Sequence, residues 1–102
     1  MKRRVISYAR ESPIEEAVVA DAKALGIRSL KLTLRYDSGW PDRLWLLDRG
    51  RTFWAEYKAP GKDLDPEGLQ ANRIAYLRSL GHDAEWYNDY DAAWAALKER
   101  IE

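Results

Sequence analysis

The segment from Gly39 to Gly61, GWPDRLWLLDRGRTFWAEYKAPG, holds most of what the sequence says about its fold. Leu44 to Leu47 form an unbroken apolar run, Asp48-Arg49-Gly50-Arg51 reads as a turn, and Thr52 to Lys58 read as the return strand of a hairpin. An apolar run without alternation predicts a strand covered on both faces, here by helices. With the turn centred on Arg49 and Gly50, cross-strand partners have numbers summing to about 98 to 100. That register sets Asp42 opposite Glu56 or Lys58, and the strand period of two puts Trp54, Glu56 and Lys58 on one face.

Elements on either side follow from their punctuation. Ser12-Pro13, with Glu15 and Glu16 next, predicts a helix start; Ile14, Val18, Ala22 and Leu25 give it an apolar stripe widened by Val19, and Gly26 ends it. Residues 29–35 alternate, with Leu30, Leu32 and Leu34 expected on one covered face. Asp65-Pro66 predicts a second helix with Leu69, Ile74, Tyr76, Leu77 and Leu80 as its apolar positions and Gly81 after its end. A short strand at Ala84–Tyr87 and a last helix over residues 90–101, with Tyr90, Trp94, Leu97 and Ile101 on one stripe, complete the order. The expected architecture is α/β: a mixed four-stranded sheet flanked by helices in the order α-β-β-β-α-β-α.

Composition bounds the chemistry. The 102 residues contain no cysteine and one histidine, His82, which excludes disulfides, Cys-based zinc sites, thiol nucleophiles and multi-histidine metal sites. No stretch approaches the ~20 apolar residues of a membrane-spanning helix, and MKRRVISYAR at the start has no signal-peptide core. A single domain over residues 1–102, cytoplasmic and not bound to membrane, is expected. Seventeen basic and seventeen acidic residues give zero net charge, which taken alone argues against a nucleic-acid binder. The charge is divided, however: residues 1–62 hold 13 basic and 8 acidic side chains, and residues 63–102 hold 4 and 9. The half with the hairpin is basic.

Two opposed carboxylates and a lysine on one hairpin face suit a hard divalent cation, because Mg²⁺ takes one or two carboxylates, keeps several waters and accepts phosphate oxygens. Such an ion polarises a phosphodiester and activates water. Lys58 would orient that water or offset charge developing on the phosphate. Phosphodiester hydrolysis is the chemistry implied.

Gly39-Trp40-Pro41-Asp42-Arg43 with Trp54-Ala55-Glu56-Tyr57-Lys58-Ala59-Pro60-Gly61 resembles the PD-(D/E)XK nuclease superfamily, and within it the VRR-NUC (virus-type replication-repair nuclease) family. The resemblance runs from Glu11 to His82. It implies a restriction-endonuclease-like core, Mg²⁺ or Mn²⁺ held by Asp42, Glu56 and the main-chain carbonyl of Tyr57, and Lys58 as catalytic lysine. It also implies an active-site glutamate on the first helix, as a further metal ligand. Glu11, Glu15 and Glu16 compete for that place, and Glu15 is preferred because it borders the buried stripe. Gln70, in line with Ile74 and Leu77, matches the polar residue that the superfamily carries on its second helix. Arg43, Lys62 and Trp40 flank the motif as candidate DNA contacts, the tryptophan by stacking on a base. The expected activity is endonucleolytic cleavage of branched DNA by a homodimer, as in Holliday-junction resolvases. The alternatives are a nuclease for flapped, nicked or linear DNA and a non-cleaving DNA-binding module.

Overall fold

The structure, a computed structural model, describes residues 12–102; the opening MKRRVISYAR stretch and the candidate Glu11 lie outside the described residues. Its elements are α1 (Pro13–Ala24), β1 (Arg28–Lys31), β2 (Arg43–Leu46), β3 (Thr52–Tyr57), α2 (Leu69–Ser79), β4 (Ala84–Tyr87) and α3 (Tyr90–Ile101), in the expected order. The sheet runs β1-β2-β3-β4; the first two pairings are antiparallel and β3 pairs with β4 in parallel. Parallel neighbours need a crossover, which α2 provides.

The ends of α1 behave as their residues dictate. Ser12 Oγ accepts the Glu15 amide at 3.0 Å, Pro13 occupies the first turn, and Gly26 follows the helix at φ 80°. A short 3₁₀ turn, Asp48–Gly50, joins β2 to β3, with Arg49 and Gly50 both at positive φ. Arg43 faces Ala55 and Trp45 faces Phe53, so partner numbers sum to 98 as the hairpin reading requires.

Alternation along β2 and β3 divides the sheet into two faces. Trp45, Phe53, Ala55 and Tyr57 meet Ile14, Val18 and Ala22 of α1 and Ala93 and Leu97 of α3 in the main core. On the other face Ile74 and Leu77 of α2 pack with Ala84, and Trp40, Trp54, Leu64 and Trp86 lie against them. Since α2 sits over the β3–β4 half, Leu30 and Leu46 on the β1–β2 half stay 49% and 44% exposed.

Four expectations are corrected here. The strand expected over 29–35 ends at Lys31, and neither Leu30 nor Leu34 is buried, because β1 is an edge strand outside the reach of α2. For the same reason β2 is covered on only one face along Leu46. The second helix begins at Leu69 rather than Asp65: Asp65 accepts the Glu67 amide through its side chain and the Gly68 amide through its carbonyl, forming a separate turn. Tyr76 and Leu80 are exposed. Among the described residues no helix is long and apolar enough to cross a membrane.

The loop between β1 and β2 is pressed onto the start of α2 at Gly39. This glycine has φ +91°, and a Cβ there would stand 2.4 Å from Leu69 Cγ. Gly81 shares the φ of +91° but has open space around it. Gly39→Ala is expected to cost about 1–3 kcal/mol through strain and displacement of Leu69, measurable by denaturant unfolding, and Gly81→Ala is expected to cost less; equal losses would mean that the contact with Leu69 contributes nothing.

Candidate active site

The site forms where β2 begins and β3 ends, since antiparallel pairing brings those two ends together. Extending the observed register by one residue sets Asp42 against Glu56. The ladder itself continues past β1, with the Leu32 amide donating to the Asp42 carbonyl at 2.8 Å. Asp42 Oδ2 accepts the Tyr57 amide at 3.3 Å, which ties the aspartate to β3.

Glu56 is 3% exposed and sits on the α2 face. Its Oε2 accepts from Gln70 Nε2 at 2.8 Å, and Gln70 Oε1 in turn accepts from Lys58 Nζ at 2.9 Å. Gln70, in the first turn of α2, therefore bridges the glutamate and the lysine, using both ends of its amide. Glu56 Oε1 is buried with no hydrogen-bond partner among the described residues. Burial, and secondly the negative charge of Asp42, push the Glu56 carboxyl up to about 8, with Lys58 opposing.

Glu15 lies close enough to the carboxylate pair for its charge to act on Glu56 and for that of Asp42 to act on it. It is 1% exposed, and its Oε2 accepts from both Lys31 Nζ and Arg43 Nε at 2.8 Å. Burial raises its pKa, and these two hydrogen bonds work against that rise. One Glu15 oxygen is thus bonded to two cations, and among the described residues no group of three or more His, Asp or Glu side chains could hold a metal ion. Glu16, its competitor, is exposed.

The flanking candidates separate. Arg43 does not face solvent: its side chain turns to the α1 face, buried against Glu15 and reaching Ser29 Oγ at 3.4 Å, because alternation in β2 places it opposite to Asp42 and Leu44. Trp40 packs in the smaller core cluster, edge to face with Tyr76 and 4.7 Å beneath the Arg73 guanidinium, an arrangement that holds its ring against α2. Lys62 is exposed in the turn after Gly61, where Asn88 donates to its carbonyl. His82 is exposed and stands edge to face with Trp54. Lys31 was not singled out by the sequence. Its Nζ lies 3.9 Å from Asp42 Oδ1 while bonded to Glu15, and the signal for it was the polar face of the β1 alternation, Ser29 and Lys31, which the register pairs with Trp45 and Arg43.

A divalent cation fits the carboxylate pair. Two carboxylates face each other, and the buried one carries an oxygen without a partner among the described residues, its pKa raised first by burial and then by the charge of Asp42. Two carboxylates and a nearby main-chain carbonyl are a donor set of the kind Mg²⁺ accepts.

Comparisons with known proteins agree with this architecture. No protein-family profile matches the sequence. A protein of Acyrthosiphon pisum secondary endosymbiont phage 1 named "Putative nuclease p44" is 36% identical over 73 residues, 72% of this chain and 76% of that protein. A solved structure described as a VRR_NUC domain superposes with a TM-score of 0.72 at 24% identity, over 87% of this chain and 94% of its own. A second, a VRR_NUC domain protein, gives a TM-score of 0.53 at 26% identity over 90% and 66%. The fold is that of the PD-(D/E)XK nucleases. Within that class the chain belongs to the VRR-NUC family.

The Glu56 carboxyl makes a pH prediction. Its folded-state pKa lies above the ordinary 4.5, so its contribution to stability is fully present below that value and is lost as pH rises toward about 8. Without metal, the thermal midpoint of the wild type should therefore fall relative to that of Glu56→Gln between pH 4.5 and pH 8. Parallel pH profiles for the two proteins would contradict the buried charge.

Proposed function

We propose that this protein is a Mg²⁺- or Mn²⁺-dependent endonuclease that hydrolyses DNA phosphodiester bonds, with branched DNA as its substrate and a homodimer as its working form. The observation that carries the reading is the unpartnered Glu56 oxygen opposite Asp42, beside a lysine held by Gln70. The nuclease names of the phage relative and of the solved VRR-NUC structures support it.

Asp42, Glu56 and the Tyr57 carbonyl would hold the cation. When bound there it supplies Lewis acidity to the phosphodiester and to the attacking water. Lys58 would orient that water or face the phosphate, and Gln70 holds its ammonium by accepting one of its protons. In the hydrolysis, water adds to phosphorus, one P–O bond to the sugar breaks, and the departing oxygen takes a proton. Lys58 stabilises the negative charge that builds on the phosphate as this happens. Glu15 acts at one remove, holding Lys31 and Arg43 in place.

Charge and symmetry support the substrate. Residues 1–62 carry the excess of basic side chains, and three of their eight acids are Glu15, Asp42 and Glu56. A bound cation would offset much of that negative charge, so DNA affinity should be modest, salt-sensitive and stronger with metal. Two cuts placed symmetrically in a junction need two symmetric sites, which a twofold dimer supplies.

Cleavage of a four-way junction, a flap and a linear duplex in Mn²⁺ tests the reading. The wild type should cut the junction fastest, and Asp42→Ala and Lys58→Ala should each lose about 10²-fold or more in rate. Junction cutting no faster than duplex cutting would remove the branch specificity. Failure to cut any of the three would leave a DNA-binding module with this fold.

A further inference from the structure

We propose that Lys31 is a second phosphate-binding cation of this site, held ready by Glu15 and released from Asp42 when a metal ion binds; the inference rests on the metal-dependent nuclease reading above. The register places Lys31 directly opposite Arg43. Like charges at opposed positions in a sheet repel, so this pair needs a reason and a remedy. Glu15 is the remedy, one buried oxygen accepting from both cations at 2.8 Å.

The reason lies in where the two cations end. Arg43 is turned inward, its side chain 11% exposed, whereas that of Lys31 is 34% exposed and reaches the mouth of the site. At 3.9 Å from Asp42 Oδ1, its ammonium is too far for a good hydrogen bond but close enough to stand in for the positive charge that the carboxylate pair lacks. An ammonium has three protons, and the bond to Glu15 uses one. Once a divalent cation neutralises Asp42, the attraction toward that carboxylate is gone, and the remaining protons are free for an anionic oxygen. Lys58 approaches the carboxylates from the α2 side and Lys31 from β1, so a phosphodiester laid across Asp42 and Glu56 would meet one ammonium from each.

Four measurements test this. Lys31→Gln keeps a donor toward Glu15 but removes the charge. In Ca²⁺, binding of a four-way junction followed by fluorescence anisotropy should weaken about tenfold, and the slope of log affinity against log salt should become shallower by about one unit. KM should rise more than kcat falls, and Lys31→Arg should restore most of the affinity. Mn²⁺ binding without DNA should be as tight as in the wild type or tighter, since a competing cation has been removed. In the unaltered protein, DNA with Ca²⁺ should slow acetylation of Lys31, read by mass spectrometry, as it slows that of Lys58; this readout does not depend on any variant folding. An unchanged salt slope in a folded Lys31→Gln, or DNA that protects Lys58 but leaves Lys31 unprotected, would overturn the inference. A wild type that neither binds nor cuts DNA with metal would instead overturn the nuclease reading beneath it.

Discussion

Asp42 and Glu56 are held face to face by a hairpin register that apolar residues enforce. Trp45, Phe53, Ala55 and Tyr57 must all point to the α1–α3 core. A slip of one residue along β3 would turn Phe53, Ala55 and Tyr57 to the opposite face and drive Glu56 into the apolar core in their place. The fold thus keeps two carboxylates together, one of them 3% exposed, against both desolvation and mutual repulsion. Much of the surrounding polar structure compensates for that arrangement. The Tyr57 amide bonds Asp42, Gln70 bonds Glu56, Lys58 bonds Gln70, and Lys31 leans toward Asp42 from the far side. One buried oxygen of Glu56 is left over, and that remainder is where the proposed cation belongs.

The two sheet faces divide the work. One is apolar core between the sheet and α1 with α3, stitched at its centre by the Trp45 indole donating to the Tyr57 hydroxyl at 2.9 Å. The other carries Glu56, with Gln70 brought over it by α2. Asp42 and Glu15 join the two faces at the open end of the sheet, one leading into β2 and the other on α1, with Lys31 between them. Rigid elements therefore fix each member of the site: strand ends hold the acids, and a helix start holds the amide.

Much of this was legible in the sequence because it depends on local rules. Ser12-Pro13, the turn at Asp48–Gly50 and the alternation of Trp54, Glu56 and Lys58 each carry their own geometry, and together they give the register and the neighbourhood of Asp42. Gln70 was legible as a polar residue in an apolar stripe. What escaped depends on contacts distant in sequence. Leu30, Leu32 and Leu34 alternate as a buried strand would, yet whether a helix covers them depends on where α2 docks. Arg43 follows the motif aspartate and looked solvent-facing, but strand alternation sends it to the opposite face from Asp42, where Glu15 waits. The role expected of Glu15 was that of a ligand; its two cationic partners lie 16 and 28 residues away, beyond the reach of any local pattern.

On the proposed reading, the Asp42–Glu56 pair is built for a divalent cation. Thermal unfolding under increasing Mn²⁺ at pH 8 tests it most directly, because a ligand that binds only the folded chain stabilises it by about 2.7 kcal/mol at a hundred times its dissociation constant. The midpoint should climb with the logarithm of Mn²⁺ concentration in the wild type and stay flat in the Asp42→Asn, Glu56→Gln double variant. A wild-type midpoint indifferent to Mn²⁺, or an equal climb in the double variant, would contradict it.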